Sequence, residues 1–262
     1  MSLPWCGSGS IRTSPEGLTV LIVLRSLLFN AAFYLNTLIY LIIALPTFFM
    51  PYWAIVGVAK SWGRTNLFLL RVICGIKAEF RGVDKIPKGG LLVASKHQSS
   101  WETFALLWLF DDPTFILKRE LQWIPLFGWF TIKGRMVPVR RGKGSVALAE
   151  MAERARIELA KGRQIVIFPE GTRRAAGAEP RYKIGVAHLY EAGGVPCLPI
   201  ALNSGLFWPR RTFLRMPGTV IVDILDPIPP GLPKEQFFAL LQDKIEDATA
   251  RLIAQGRREL AR

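Results

Sequence analysis

At 262 residues the chain can bury one full core and is close to the upper size for a single one. Half of its residues are hydrophobic, eight are tryptophan and the mean hydropathy is +0.27. These values exclude an ordinary soluble protein unless the apolar excess is concentrated in one place. Lys and Arg number 34 against 20 Asp and Glu, a formal +14; that field suits anionic lipid or an acidic partner, and with no basic-aromatic motif beside it nucleic acid is set aside as a partner.

The excess lies near the N-terminus. Residues 26–59 contain no Asp, Glu, Lys, Arg or His, a run of 34, whereas about 20 apolar residues cross a bilayer as a helix. The opening MSLPWCGSGSIRTSPEG lacks the compact basic region of a cleavable signal sequence, and the apolar run is too long for one. Pro46 and Pro51 interrupt it, so the segment reads as a span over about 27–45 with a second, shorter interfacial helix, or as a single span. A very apolar buried hairpin is the bland alternative. Arg12 and Arg25 precede the run, and Lys60, Arg64, Arg71 and Lys77 follow it. That excess puts the main domain on the cytoplasmic face of the membrane. The expected division is an N-terminal segment over 1–25, membrane-anchoring helices over 26–74 and the main domain over 75–262.

Beyond the run, residues 61–74 continue as a helix that Gly75 ends. Then the pattern alternates: extended IKAEF (76–80), a turn at 88–90, strand LLVAS (91–95), helix WETFALLWLF (101–110), strand TFILK (114–118), and an aromatic segment broken by Pro and Gly, LQWIPLFGWF (121–130). Strand MVPV, a helix over 145–161, strand QIVIF, a short helix over 184–191, strands CLPIAL and TVIVDIL, and a long amphipathic helix from 234 complete the chain. Strands alternating with helices predict an α/β domain with a mixed, largely parallel sheet flanked by helices. Residues 175–181 and 205–218 read as surface loops. Cys6, Cys74 and Cys197 are odd in number and far apart, so neither a disulfide framework nor a zinc site is indicated.

Three strand ends carry chemistry. In KHQSSWETF (96–104), Ser99 and Glu102 fit a capping box ahead of an apolar helix, and the helix dipole favours negative charge in that first turn. His97 can meet Glu102 only if it lies before the helix, in the turn after LLVAS; the carboxylate would then orient the imidazole as a base. In IVIFPEGTRR (165–174) a strand ends in a glycine, a hydroxyl and two guanidiniums, Arg173 and Arg174, where open α/β sheets hold ligands. In GRMVPVRRGKG (134–144) another strand ends in Arg140 and Arg141, and paired arginines suit phosphate. The glycines match no P-loop or dinucleotide fingerprint, and no GxSxG elbow is present. The sum is a base that activates a hydroxyl on a phosphorylated substrate. His188, in the helical GVAHLYEAG, has no acidic partner in a matching motif and reads as packing.

These motifs, in this order, resemble the glycerophospholipid acyltransferase family, most closely the lysophosphatidate acyltransferases. The first motif is His97, four residues, Glu102; the second runs from Gly134 to Arg140; the third is Phe168-Pro169-Glu170-Gly171-Thr172-Arg173; the fourth, with spaced prolines, is Val195 to Pro199. Glu102 stands where aspartate is commoner. The resemblance covers roughly residues 75–225. It implies transfer of a fatty acyl group from acyl-CoA or acyl-carrier protein to the sn-2 hydroxyl of 1-acyl-sn-glycerol 3-phosphate, giving phosphatidate. Within the family, glycerol 3-phosphate, lyso-ornithine lipid or another lysolipid are alternative acceptors. A membrane lipid-binding protein without turnover is the alternative outside it. The resemblance further implies His97 as general base, oriented by Glu102, with Arg140 and Arg173 on the acceptor phosphate and Glu170, Gly171 and Thr172 shaping the acceptor site. Lys118 and Lys183 are further phosphate-binding candidates. It implies no metal or cofactor, since the thioester is already activated, and residence at a bacterial-type inner membrane among its lipids.

Overall fold

The computed structural model describes residues 15–140 and 144–261; Cys6, Arg12 and Arg141, named above, lie outside the described residues. The described residues begin with a helical pair. Helix α1 (Pro15–Ala44) and helix α2 (Tyr52–Leu69) run antiparallel, joined by a 3-10 turn, Leu45–Phe49, that contains Pro46; Pro51 caps α2. The prolines thus mark a turn between two helices. Helix α1 starts ahead of the charge-free run and includes Arg25, a good helix former. Leu24, Leu28, Leu35, Leu38 and Ile42 are exposed on it, and only 11% of its most apolar window is buried. That rules out a buried core helix. By length and composition α1 can cross a membrane.

Polar side chains tie the pair together. Tyr40 Oη lies 2.9 Å from both Ser61 Oγ and Thr65 Oγ1, Trp62 Nε1 donates to Thr37 Oγ1 at 3.1 Å, and Asn36 Nδ2 donates to Asn66 Oδ1 at 3.3 Å. Between helices in lipid such bonds supply association that the hydrophobic effect cannot. The other side of α2 packs on α3 (Trp101–Leu109). The contact is close because position 63 is glycine: a Cβ there would lie 2.6 Å from the Phe104 carbonyl oxygen. A π-helical turn, Leu70–Cys74, then leads to Gly75, whose left-handed φ of 69° ends the helix as the sequence indicates.

Seven strands form one sheet: β1 (Ile76–Arg81), β2 (Leu91–Ser95), β3 (Pro113–Lys118), β4 (Val137–Val139), β5 (Gln164–Ile167), β6 (Cys197–Leu202) and β7 (Gly218–Ile224), in the order β1-β7-β6-β2-β5-β3-β4. All neighbours are parallel except β6 and β7. The mixed, largely parallel sheet expected from the alternating pattern is present. Period-2 alternation splits β2 between two cores. Leu91 and Val93 pack with Trp101, Phe104 and Phe29, on the side of α1, α2 and α3. Leu92 and Ala94 pack with Met151, Val186, Phe237 and Ile245, from α5 (Gly144–Ala160), α6 (Gly185–Gly193) and α8 (Lys234–Leu260). Every residue of β2, β5 and β6 is buried, as strands covered on both faces must be. Because β2 through β6 run parallel, the chain leaves β2, β3, β4, β5 and β6 at the same edge. The chemistry-bearing motifs therefore converge there.

Two segments depart from the sequence reading. Within the broken aromatic segment lies a helix, α4 (Phe127–Lys133). It is possible because Gly128 lets the backbone meet Gln122, whose carbonyl oxygen a Cβ would approach to 2.1 Å. The stretch 205–218 is not simply a surface loop: it begins within a short helix, α7 (Ser204–Phe207), and Phe207, Trp208 and Arg215 are buried. Arg215 holds it against α1, with its guanidinium 3.9 Å from the Trp208 ring and 5.7 Å from that of Phe29 and its amide donating to Ser26 Oγ at 2.9 Å.

Candidate active site

At the end of β2 the chain turns through Lys96, His97, Gln98 and Ser99 before α3 starts at Trp101. His97 lies outside the helix, as the five-residue spacing to Glu102 requires. Glu102 is fully buried, so its carboxylate needs donors, and it has four. Oε1 accepts from His97 Nδ1 at 2.9 Å and from the amides of Gln98 and Ser99 at 2.7 Å each. Oε2 accepts from Ser204 Oγ at 2.8 Å. The amide contact to Ser99 is half of a capping box. The other half differs from expectation: the cap position is Ser100, and Ser99 Oγ accepts from the nearer amide of Trp101 at 3.2 Å.

With Nδ1–H given to Glu102, the other ring nitrogen, Nε2, is the one able to take a proton. The ring stacks on Phe168, with centroids 4.0 Å apart and planes 15° apart, which fixes its plane as the carboxylate fixes its rotation. Gln98 adds a second tie to the end of β6, its Oε1 accepting from Gly205 N at 2.9 Å.

His97 faces a cleft of about 750 Å³, lined also by Lys118, Arg140, Gly171, Thr172, Arg173 and Lys183. Apolar side chains, among them Trp62, Leu107, Phe115, Phe127, Met136 and Met151, form much of its remaining wall. Among the described residues none of the four cations has a carboxylate partner. Arg173 is held in place by Nη1 donating to Ser100 Oγ at 2.6 Å. Gly171 has a left-handed φ of 62°, and a Cβ there would stand 3.2 Å from Lys183 Cδ, so glycine serves both the turn and the lysine lying over it. A base beside an unpaired cationic group and an apolar wall can activate a hydroxyl on a molecule that carries both an anion and a chain.

Seven of the nine residues singled out from the sequence thus line one cleft. Glu102 stands behind His97, and Glu170 does not line the cleft at all. It is buried, accepts from Lys96 Nζ at 3.0 Å and from His97 N at 3.4 Å, and burial pushes its carboxyl above the usual range against the pull of Lys96. Sequence reasoning missed Ser204, Lys96 and Glu246, whose Oε1 accepts from Lys96 Nζ at 2.7 Å, and it named Phe168 as a motif residue without its stacking role. Of the three missed, only Lys96 carried a signal, as the immediate neighbour of His97. Among the described residues no three His, Cys, Asp or Glu side chains gather as a metal site.

Residues 77–203 match a protein family described as Acyltransferase. A 1-acyl-sn-glycerol-3-phosphate acyltransferase of Pseudomonas aeruginosa is 39% identical over 167 residues, 64% of this chain and 65% of that protein. The enzyme of the same name from Limnanthes alba is 30% identical over 156 residues, 59% of this chain and 55% of that one. The match therefore spans less than two thirds of either relative. The crystal structure of the 1-acyl-sn-glycerophosphate (LPA) acyltransferase, PlsC, from Thermotoga maritima superposes with a TM-score of 0.73 over 88% of this chain and 97% of its own, at 23% identity. At that identity the likeness is one of fold.

Proposed function

We propose, from the match of residues 77–203 to the Acyltransferase family, that the chain is an acyltransferase that moves a fatty acyl group from acyl-CoA or acyl-carrier protein to the sn-2 hydroxyl of 1-acyl-sn-glycerol 3-phosphate, giving phosphatidate. The observation that carries this reading is the His97–Glu102 pair, 2.9 Å apart, at a cleft shared with four cations and an apolar wall. His97 Nε2 takes the proton of the acceptor hydroxyl while its oxygen attacks the thioester carbonyl. Glu102 orients the ring and offsets the positive charge it gains. The tetrahedral intermediate collapses with loss of the thiolate, which receives that proton from His97. Arg140, Arg173, Lys118 and Lys183 hold the acceptor phosphate, fixing the hydroxyl at the base; Gly171 and Thr172 shape the site between them.

The exposed apolar face of α1 supports anchoring in a membrane where the lysolipid resides. The antiparallel pair brings Arg71 and Lys77 back to the end of α1 that carries Arg25, while the turn at 45–51 carries no charge; that asymmetry supports a cytoplasmic active site at a bacterial-type inner membrane. The test is incubation of membranes containing the protein with labelled acyl-CoA or acyl-carrier protein and a panel of lyso-acceptors, followed by lipid separation. Labelled phosphatidate from lysophosphatidate is expected. A different labelled lipid would reassign the acceptor, and free fatty acid alone would make the protein a hydrolase.

A further inference from the structure

Behind the His97 turn lies a charged cluster whose members come from four parts of the chain. The Lys96 ammonium lies 3.0 Å from Glu170 Oε1 and 2.7 Å from Glu246 Oε1, Tyr182 Oη donates to the same Glu246 oxygen at 2.8 Å, and the ammonium also stands 5.8 Å from the Tyr182 ring centroid. The side chains of Lys96, Glu170 and Glu246 are 2%, 0% and 23% exposed, so most of this charge has left water. A buried ammonium deprived of one carboxylate costs far more than a surface pair does.

The cluster is directed at the site. Glu170, held by Lys96 through one oxygen, offers the other to the backbone amide of His97 at 3.4 Å. Glu246 reaches the cluster because α8 is seated on the sheet by its neighbour Ile245, which packs in one core with Leu92 and Ala94 of β2. It lies beyond the family match, which ends at 203. We propose that Glu246 is a positioning residue of the active site: through Lys96 it fixes Glu170 beneath the His97 amide and so sets where the imidazole stands. The inference rests on the reading of His97 as the base.

Glu246→Gln keeps the shape and the acceptor oxygen while removing the charge. In purified full-length protein it is expected to lower kcat by about ten- to a hundredfold, the cost of a small misplacement, with KM for donor and acceptor unchanged. Lys96→Met is expected to lower kcat too, and adding Glu246→Gln to it should cost nothing further, because the path has already been cut. His97 and His188 are the two histidines of the chain, so histidine labelled with nitrogen-15 gives two resolvable ring environments. The His97 signals should move in Glu246→Gln and those of His188 should not. Unmoved His97 signals overturn the proposal, as do additive losses in the double variant or full kcat per folded molecule once thermal unfolding is taken into account. A wild-type protein that fails to turn over lysophosphatidate would refute the acceptor assignment, while the His97 signals would still decide the positioning role.

Discussion

One oxygen of Glu102 holds His97 Nδ1 at 2.9 Å and, at 2.7 Å each, the amides of Gln98 and Ser99. The atom that orients the imidazole also pins the turn that presents it. His97→Ala is expected to lower kcat by about 10²–10⁴-fold, as for a general base, without changing the share of protein found in membranes. Glu102→Gln should lose at least about tenfold, since the charge facing the ring is gone. Glu102→Asp retracts the carboxylate by one methylene and should fall between wild type and Glu102→Gln, as measured by initial rates at saturating substrate.

Arg173 lines the cleft with its guanidinium steadied by Ser100. Arg173→Ala is expected to raise KM for a phosphate-bearing acceptor by roughly ten- to a hundredfold, which is what about 1.5–3 kcal/mol for a hydrogen bond to a charged group amounts to. Against an acyl acceptor lacking phosphate the same variant should match wild type. An equal loss on both acceptors would remove Arg173 from the phosphate site.

Gly63 lets α2 approach the backbone of α3, with a Cβ placed only 2.6 Å from the Phe104 carbonyl oxygen. Backbone cannot swing aside as a side chain can. Gly63→Ala is therefore expected to destabilise by about 1–3 kcal/mol and lower the thermal midpoint by roughly 2–10 °C for a chain of this size. Gly89, which has open space around it but a left-handed φ of 89°, should respond to alanine through backbone strain alone and so lose less.

Leu35 and Ile39 are exposed on α1, at 60% and 45%. A charge placed there should oppose insertion by about 2.5–3.5 kcal/mol near mid-bilayer. Leu35→Arg and Ile39→Arg are expected to increase the fraction released by alkaline carbonate washing. If neither changes that fraction, α1 does not sit in lipid with this face.

Local signals made much of this fold legible. Runs such as LLVAS and CLPIAL announce buried strands, the Gly75 and Pro46 positions mark real helix ends, and His97 with Glu102 could be paired because the strand end sets His97 before the helix that carries Glu102. What stayed hidden depends on the third dimension. Ser204 completes the shell of Glu102 from 102 positions away and Glu246 reaches Lys96 across 150, separations that no periodicity encodes. Residues 205–218 looked like a loop because Pro209, Pro217, two terminal glycines and three arginines break any apolar periodicity. Arg215 is buried there because Trp208 and Phe29 offer it ring faces and because Asn30 Oδ1 and the carbonyls of Thr212 and Leu214 accept from its guanidinium. Glu170 was legible as a motif residue but not as one facing away from the cleft, since a strand end reveals which edge it reaches and not which way each side chain turns.

Trp62 of α2 forms part of the wall of the cleft, and its indole nitrogen is tied to Thr37 of α1. Helix pair and cleft are therefore one piece of architecture. A shortened protein starting at Gly75 would not keep the same cleft in a smaller form; it would be a vessel missing a side. Bilayer thickness or detergent that shifts α1 would be felt directly by whatever occupies the cleft.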